Sequence, residues 1–255
     1  MPPIAGSLRA LVSNLIDYAG YYPPAALPLE RAAEKYEEYR TSPERWMLNR
    51  IVLPAAKLAE VRMNGDWRIS LLINRHPGTL PRQVETLETK LPGQLGLPTY
   101  CEVSLEDLTD GFAKLRTGGV SPEAIPESET LADFLIQAAA RRLPFKATAG
   151  LHHPIRSLQR LTYAVASPVA MMHGFLNAFI AAAFAWHGAD RKTVLAVLNE
   201  EEAGAFEFRD DELAWRYLRL PTEQVRSARR DFAHSFGSCS FEEPVAGLRQ
   251  LGFLP

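Results

Sequence analysis

The stretch Gly111 to Arg156 constrains the fold more tightly than any other part of the chain. It runs GFAKLRTGGVSPEAIPESETLADFLIQAAARRLPFKATAGLHHPIR. The pattern predicts a strand (Phe112 to Thr117), a Gly-Gly loop, a helix from about Ser128 to Arg142 and a second strand (Phe145 to Gly150). A loop with His152, His153 and Arg156 follows. This is one βαβ unit, whose crossover is expected to be right-handed and whose strands are then parallel. Side chains alternate along a strand. Ala113 and Leu115 therefore share one face and Lys114 and Arg116 the other; Phe145, Ala147 and Ala149 share a face, with Lys146 and Thr148 opposite. The apolar faces suit packing under helices. The other faces place Lys114, Arg116 and Lys146 on the far side of a parallel sheet, where a charge is costly unless paired or used.

The rest of the chain alternates in the same way. A leading helix is expected over residues 6 to 14 and a strand at Leu15 to Ala19, before a Gly-Tyr-Tyr-Pro-Pro turn. Helices follow at Leu29 to Arg40, Ala55 to Arg62 and Pro81 to Lys90, with strands at Arg50 to Pro54, Trp67 to Asn74 and Tyr100 to Leu105. After the βαβ unit come helices at Ser167 to Trp186 and Arg191 to Glu202, and a strand at Ala205 to Arg209. A helix at Thr222 to Phe232 with Thr222 as N-cap, a strand at His234 to Cys239 and a closing helix at Glu243 to Leu251 complete the order. Strands thus begin near 15, 50, 67, 100, 112, 145, 205 and 234. The connection Glu106 to Asp110 allows at most one turn. Eight strands alternating with helices predict a single (β/α)8 barrel of the TIM type over residues 1 to 255. The alternative is an open doubly wound parallel sheet, but a Gly-rich dinucleotide fingerprint after the first strand is missing.

Composition narrows the function classes. At 47% hydrophobic and 23% charged, the chain has the make-up of a soluble globular protein. A net charge of −2 gives no global basic field, so neither nucleic acid nor a membrane surface is an expected partner. The apolar run Gly174 to Trp186 is too short for a bilayer and reads as a buried helix. Two cysteines, Cys101 and Cys239, argue against a disulfide framework, and MPPIAGSLRALVSNL lacks the pattern of a signal peptide. The cytoplasm is the expected compartment.

The blocks FKATAGLHHPIR, AKLRTGG, HGFLNAF and SFGSCSFEEPV resemble those of an uncharacterised bacterial protein family, a resemblance that spans most of the chain and implies no activity. A shorter stretch, Lys146-Ala-Thr-Ala-Gly, is similar to the lysine strand (K-T-S-T-G) of deoxyribose-phosphate aldolase, a class I aldolase on a barrel. That resemblance implies Lys146 as a Schiff-base lysine. The family's partner lysine lies on the following strand, whereas Lys114 lies on the preceding one.

The residues themselves support a site at the carboxyl ends of the strands. A second ammonium and partial burial lower a lysine pKa, and a neutral amine is a nucleophile or base. Lys146 and Lys114 are therefore candidate catalytic groups, with Glu102 as their expected carboxylate partner; the plainer reading is a structural ion pair. Arg116 and Arg156 suit an anionic substrate, and Gly118 and Gly119 either bring backbone N–H groups to it or only make a tight turn. His152 and His153 suit proton transfer. Asp17 is placed to orient a lysine or a substrate hydroxyl. His173 and Asn177 share a helix face, with Asn177 a substrate contact and His173 equally a packing residue. Ser238, in the Gly237 to Ser240 turn, lies where barrels often bind phosphate. Cys239 reads as a packing residue.

The expected function is a barrel enzyme acting on a small anionic carbonyl or phosphorylated compound through a lysine, as a lyase or isomerase, with no cofactor. A metal-assisted hydrolase is the first alternative, although no metal-ligand motif is present. A non-catalytic small-ligand-binding protein is the second.

Overall fold

The structure, a computed structural model, describes residues 4–91, 93, 95–103, 108 and 111–255. In chain order it contains α1 (Gly6–Val12), β1 (Ile16–Tyr18), α2 (Leu29–Thr41), β2 (Leu48–Pro54), β3 (Ile69–Leu72), β4 (Val84–Thr89), β5 (Thr99–Glu102) and β6 (Phe112–Arg116). Then follow α3 (Ser128–Ala140), β7 (Phe145–Thr148), β8 (Ser157–Arg160), β9 (Val169–Met172), α4 (Phe175–Trp186) and α5 (Arg191–Leu198). The chain closes with β10 (Phe206–Phe208), β11 (Glu212–Trp215), β12 (Leu218–Pro221), α6 (Thr222–Asp231), β13 (Ala233–Ser238) and α7 (Glu242–Gln250).

Eight strands close into a barrel in the order β1-β13-β7-β6-β5-β4-β3-β2. Every neighbouring pair is parallel. With helices between strands, this is the (β/α)8 barrel that the alternation predicted. The faces of the βαβ unit fall as expected. Phe145 points outward and meets Phe134 of α3 at 5.4 Å and Phe232 at 5.0 Å between ring centroids. Lys114 and Lys146 lie opposite one another in the β6–β7 register.

Helix α4 is apolar on all sides because it is covered on all sides. Every residue from Phe175 to Ala185 is buried, the state expected of a helix without a polar face. Its Phe175 stacks on Phe236 of β13 at 5.3 Å. Burying an aromatic of this size stabilises by roughly 1.5–3 kcal/mol. Among the described residues, no helix is long and apolar enough to cross a membrane.

Four sequence expectations are corrected. Residues 81–90 are not helical: Val84–Thr89 is the barrel strand β4. Val84 and Leu87 stand three apart and mimic a helical stripe, but Thr86 and Glu88 turn toward the barrel interior, where both meet Ser70. Residues 205–209 do form a strand, outside the barrel: β10, β11 and β12 make an antiparallel sheet. Ser7 N–H donates to Arg209 O there at 2.9 Å, tying α1 to the sheet. The helix expected from Ser167 starts at Phe175, since Val169–Met172 pairs instead with Ser157–Arg160 in a hairpin. Thr222 is the first helical residue rather than the N-cap, which is Pro221; its hydroxyl donates to Asp210 O at 2.9 Å. Ser104 and Leu105 and most of the 106–110 connection lie outside the described residues.

Candidate functional site

A cavity of about 430 Å3 opens at the carboxyl ends of the barrel strands. Under and along it runs a row of six ionised side chains from five strands, alternating in sign. Asp17 (β1) accepts from Lys146 (β7) at 2.6 Å, and Lys146 donates to Glu88 (β4) at 2.5 Å. Glu88 pairs through its other oxygen with Lys114 (β6) at 2.9 Å. Lys114 lies 3.9 Å from Glu102 (β5), which holds Arg116 (β6) at 3.0 Å. Side-chain exposure climbs along the row, from 1% at Asp17 and Lys146 through 7% at Lys114 and 19% at Glu102 to 48% at Arg116. The row therefore runs from the barrel interior to its mouth.

The deep end is fully hydrogen-bonded. Asp17 also accepts from Asn49 Nδ2 and Ser235 Oγ, each at 2.7 Å. Glu88 accepts from Ser70 Oγ at 2.7 Å, and Ser70 in turn accepts from Thr86 at 2.9 Å. These partners decide the charge states. Burial by itself lowers the Lys146 pKa, yet Asp17 and Glu88 outweigh it and hold the ammonium well above its ordinary value. Burial raises the Glu88 carboxyl, and Lys146 and then Lys114 outweigh that, leaving it far below the carboxylate range. Lys146 is a fixed cation near pH 7. Its carboxylate partners are Asp17 and Glu88, not Glu102 as the sequence suggested, and Glu102 serves Arg116.

The roof of the site is the β8–β9 hairpin. Leu161 and Met172 from it line the cavity, and a side chamber of about 500 Å3 lies beneath it. His152 lines both spaces; His153 lines only the side chamber. His152 Nδ1 lies 2.9 Å from Glu243 Oε2 and 3.5 Å from Ser238 Oγ. Burial, with His152 as a second cause, pushes the His153 pKa below its usual value.

Among the other candidates, Arg116 and Gly119 line the cavity together with Gly237, so both turns do share one rim. Gly118 serves the backbone instead. A Cβ there would lie 2.7 Å from Gly150 Cα, so the loops after β6 and β7 touch only because Gly118 has no side chain. Ser238 is buried and its hydroxyl accepts from Ser240 N–H at 3.4 Å. The expected phosphate grip at this turn is displaced by acid: Glu242 and Glu243 occupy the first turn of α7, and Glu243 N–H already donates to Ser240 Oγ at 3.2 Å.

Arg156 and Asn177 fall outside the cavity. Arg156 pairs with Glu201. Asn177 accepts from Arg156 N–H at 2.9 Å and donates to Val197 O and Glu200 O, both at 2.8 Å. A buried amide so engaged pins the chain and has no group left for substrate. His173 is likewise a packing residue, its Nε2 2.8 Å from Pro126 O. Among the described residues, no group of three or more His, Cys, Asp or Glu side chains converges to hold a metal. Cys101 and Cys239 are both free and buried.

Sequence reasoning missed Glu88, the centre of the row, because β4 was read as a helix. It missed Glu243 inside the EEP block of α7. A weak signal existed for Ser70, a lone hydroxyl on the inward face of the apolar strand Ile69–Leu72. Comparison with protein-family models, with curated proteins and with solved structures finds no match.

Proposed function

We propose that the chain is a barrel enzyme that takes a small anionic carbonyl or phosphorylated compound into the cavity at its carboxyl-terminal mouth and moves a proton on it, in lyase or isomerase chemistry. One observation carries this reading: the alternating row of six ionised groups that leads from the barrel interior into that cavity. Burying ion pairs is a poor route to stability, since well-packed apolar residues do as well or better. Fixed charge pointing into a cavity is what stabilises charge that develops during a reaction.

In this reading the roles divide by depth. Lys146, saturated by Asp17 and Glu88, contributes a constant positive charge and no covalent bond. Lys114 has one close carboxylate and stands nearer the opening, so it meets the substrate oxygen that becomes an oxyanion. Arg116 at the rim holds the substrate's own anionic group. His152, with Nδ1–H donated to Glu243, keeps Nε2 as the lone pair that takes the proton from carbon; the electron pair passes to the carbonyl oxygen beside Lys114. Among the described residues, the metal-assisted alternative has no converging donor set. The non-catalytic alternative is favoured by one feature, the pairing of every charge in the row.

The deciding experiment is an incubation of the full chain with a panel of small keto acids, aldehydes and sugar phosphates in D2O, followed by proton NMR. Deuterium exchange at carbon, lost in His152→Gln, is the expected result. Saturable ligand binding with no exchange on any compound moves the reading to a binding protein, and neither binding nor exchange removes it.

A further inference from the structure

The opposite end of the barrel holds a second cavity, of about 700 Å3, bounded by the amino-terminal ends of the strands. Its charge is unbalanced. Arg50 and Arg68 both donate to Glu85, at 2.9 and 3.0 Å, so two guanidiniums share one carboxylate. Among the described residues that line it, Glu85 is the only carboxylate. Arg9 lies over the Trp46 ring at 4.5 Å rather than against an acid. Arg229 is bonded to backbone carbonyls, Leu11 O at 2.6 Å, His234 O at 2.6 Å and Ser13 O at 3.1 Å. Arg226 and Arg230 also line the space, but each has its own acid, Glu223 and Asp231.

Among the described residues, Arg9, Arg50, Arg68 and Arg229 thus front the space with one carboxylate, beside Arg226 and Arg230 with acids of their own, in a chain whose net charge is −2. His234 lies on the same wall. Burial, with Arg229 the next cause, pushes its pKa down to about 4, so the ring is neutral and adds no charge. The side-chain exposure of Arg50 is only 16%, too low for water to screen it fully. Its Nε is the atom bonded to Glu85, and no bond runs from its Nη groups to that acid.

We propose that this basal cavity is a second ligand site, which binds a small polyanion of the phosphate-ester or pyrophosphate class on Arg9, Arg50 and Arg68. Guanidiniums recognise such groups through paired N–H donors. The ligand sits one side-chain layer below the charged row: Tyr100 lines the basal cavity while its ring lies 5.8 Å from Lys146 Nζ, and Asn49 lines it while bonding Asp17.

The test is calorimetric titration of the full chain with inorganic pyrophosphate, at an ionic strength held constant with sodium chloride. Saturable binding is expected, weakened roughly tenfold or more in Arg68→Gln by loss of charge-assisted hydrogen bonds. Arg9→Gln, at an exposed position on α1, serves as the second variant should Arg68→Gln fail to fold, with circular dichroism as the check. A titration that does not saturate overturns the proposal. So does a Kd that is unchanged in every variant that folds, and so does binding lost in Arg116→Gln but kept in Arg68→Gln, which would seat the anion at the other mouth.

Discussion

Lys146 Nζ lies 2.6 Å from Asp17 Oδ2, a contact that spans 129 residues of sequence and joins the first barrel strand to the seventh. Both side chains are about 1% exposed. The pair is therefore a structural bolt as much as part of a site. Lys146→Met leaves Asp17 and Glu88 buried without their common cation, and removing one partner of a buried pair costs about 3–5 kcal/mol. A fall of that size in urea-unfolding free energy is expected. Borohydride trapping with small aldehydes and keto acids, followed by peptide mapping, is expected to leave Lys146 unlabelled, because a charged amine is no nucleophile. A Lys146 adduct would show that the amine loses its proton.

Glu88→Gln tests the centre of the row. It keeps the shape and strips the one carboxylate that separates two ammoniums. Lys114 and Lys146 then repel, and Lys114 keeps only the Glu102 carboxylate, 3.9 Å away. The expected outcome is a labelled Lys114 in the same trapping experiment near neutral pH, together with a loss of roughly 3 kcal/mol or more in stability. Unchanged reactivity in a folded variant would mean that the contact with Glu88 does not restrain the Lys114 amine.

Stability should fall on both sides of a plateau. His153, His173 and His234 all have depressed pKa values, with burial the first cause in each. The unfolded chain then takes up protons from about pH 6.5 downward while the folded chain resists, so stability is lost as the pH falls. For His234 that window closes at about 4. Glu88 extends the acid loss: its contribution is full above about pH 4.3 and disappears at lower pH. Lys146 acts at the other end. Its raised pKa makes its contribution full below about pH 10.4 and lost as the pH rises through the folded value. Denaturant midpoints measured from pH 3 to 11, on the order of one point per unit, should trace this shape. His234→Gln should remove about one proton from the acid slope.

Asn177→Ala is expected to destabilise without touching the chemistry. It frees the Glu200 carbonyl and the Arg156 N–H and takes one partner from the Val197 carbonyl, which keeps the Glu200 N–H at 3.3 Å. Buried groups left unpaired cost about 1–3 kcal/mol each, less what water recovers, so a loss of about 3 kcal/mol is expected. Deuterium exchange on an accepted substrate should be unchanged per folded molecule.

The βαβ unit was legible because its strands are short, alternate cleanly and flank one amphipathic helix. Phe145 out and Lys146 in follow from the period of two. Strand β4 was not legible for the same physical reason that makes it interesting. Its inward face carries Thr86, satisfied by Ser70 of β3, and Glu88, satisfied by a lysine of β7, and no local pattern announces a partner 58 residues away. Strand β10 was read as a barrel member because half-buried alternation looks alike in a barrel and in a surface hairpin. The two errors cancelled in the count of eight. The roof hairpin Ser157–Arg160 and Val169–Met172 was missed because most of its residues are exposed or half-buried. Asn177 shared a helix face with His173 in the sequence, but spacing cannot tell a side chain that grips substrate from one that grips carbonyls.

His152 and Glu243 carry the last prediction. The 2.9 Å contact places the imidazole at the wall shared by the main cavity and the side chamber. A carboxylate at Nδ1 fixes the tautomer that leaves Nε2 unprotonated, which is the form a general base needs. His152→Gln removes the base and should slow carbon-bound deuterium exchange by roughly 10²–10⁴-fold, the range of general acid–base catalysis. Glu243→Gln keeps a polar group at that position but no longer demands Nδ1–H, so both tautomers coexist and the loss is smaller. The unfolding midpoint of Glu243→Gln is expected to stay close to that of the parent chain. Exchange that survives His152→Gln at full rate would place the base elsewhere on the cavity wall.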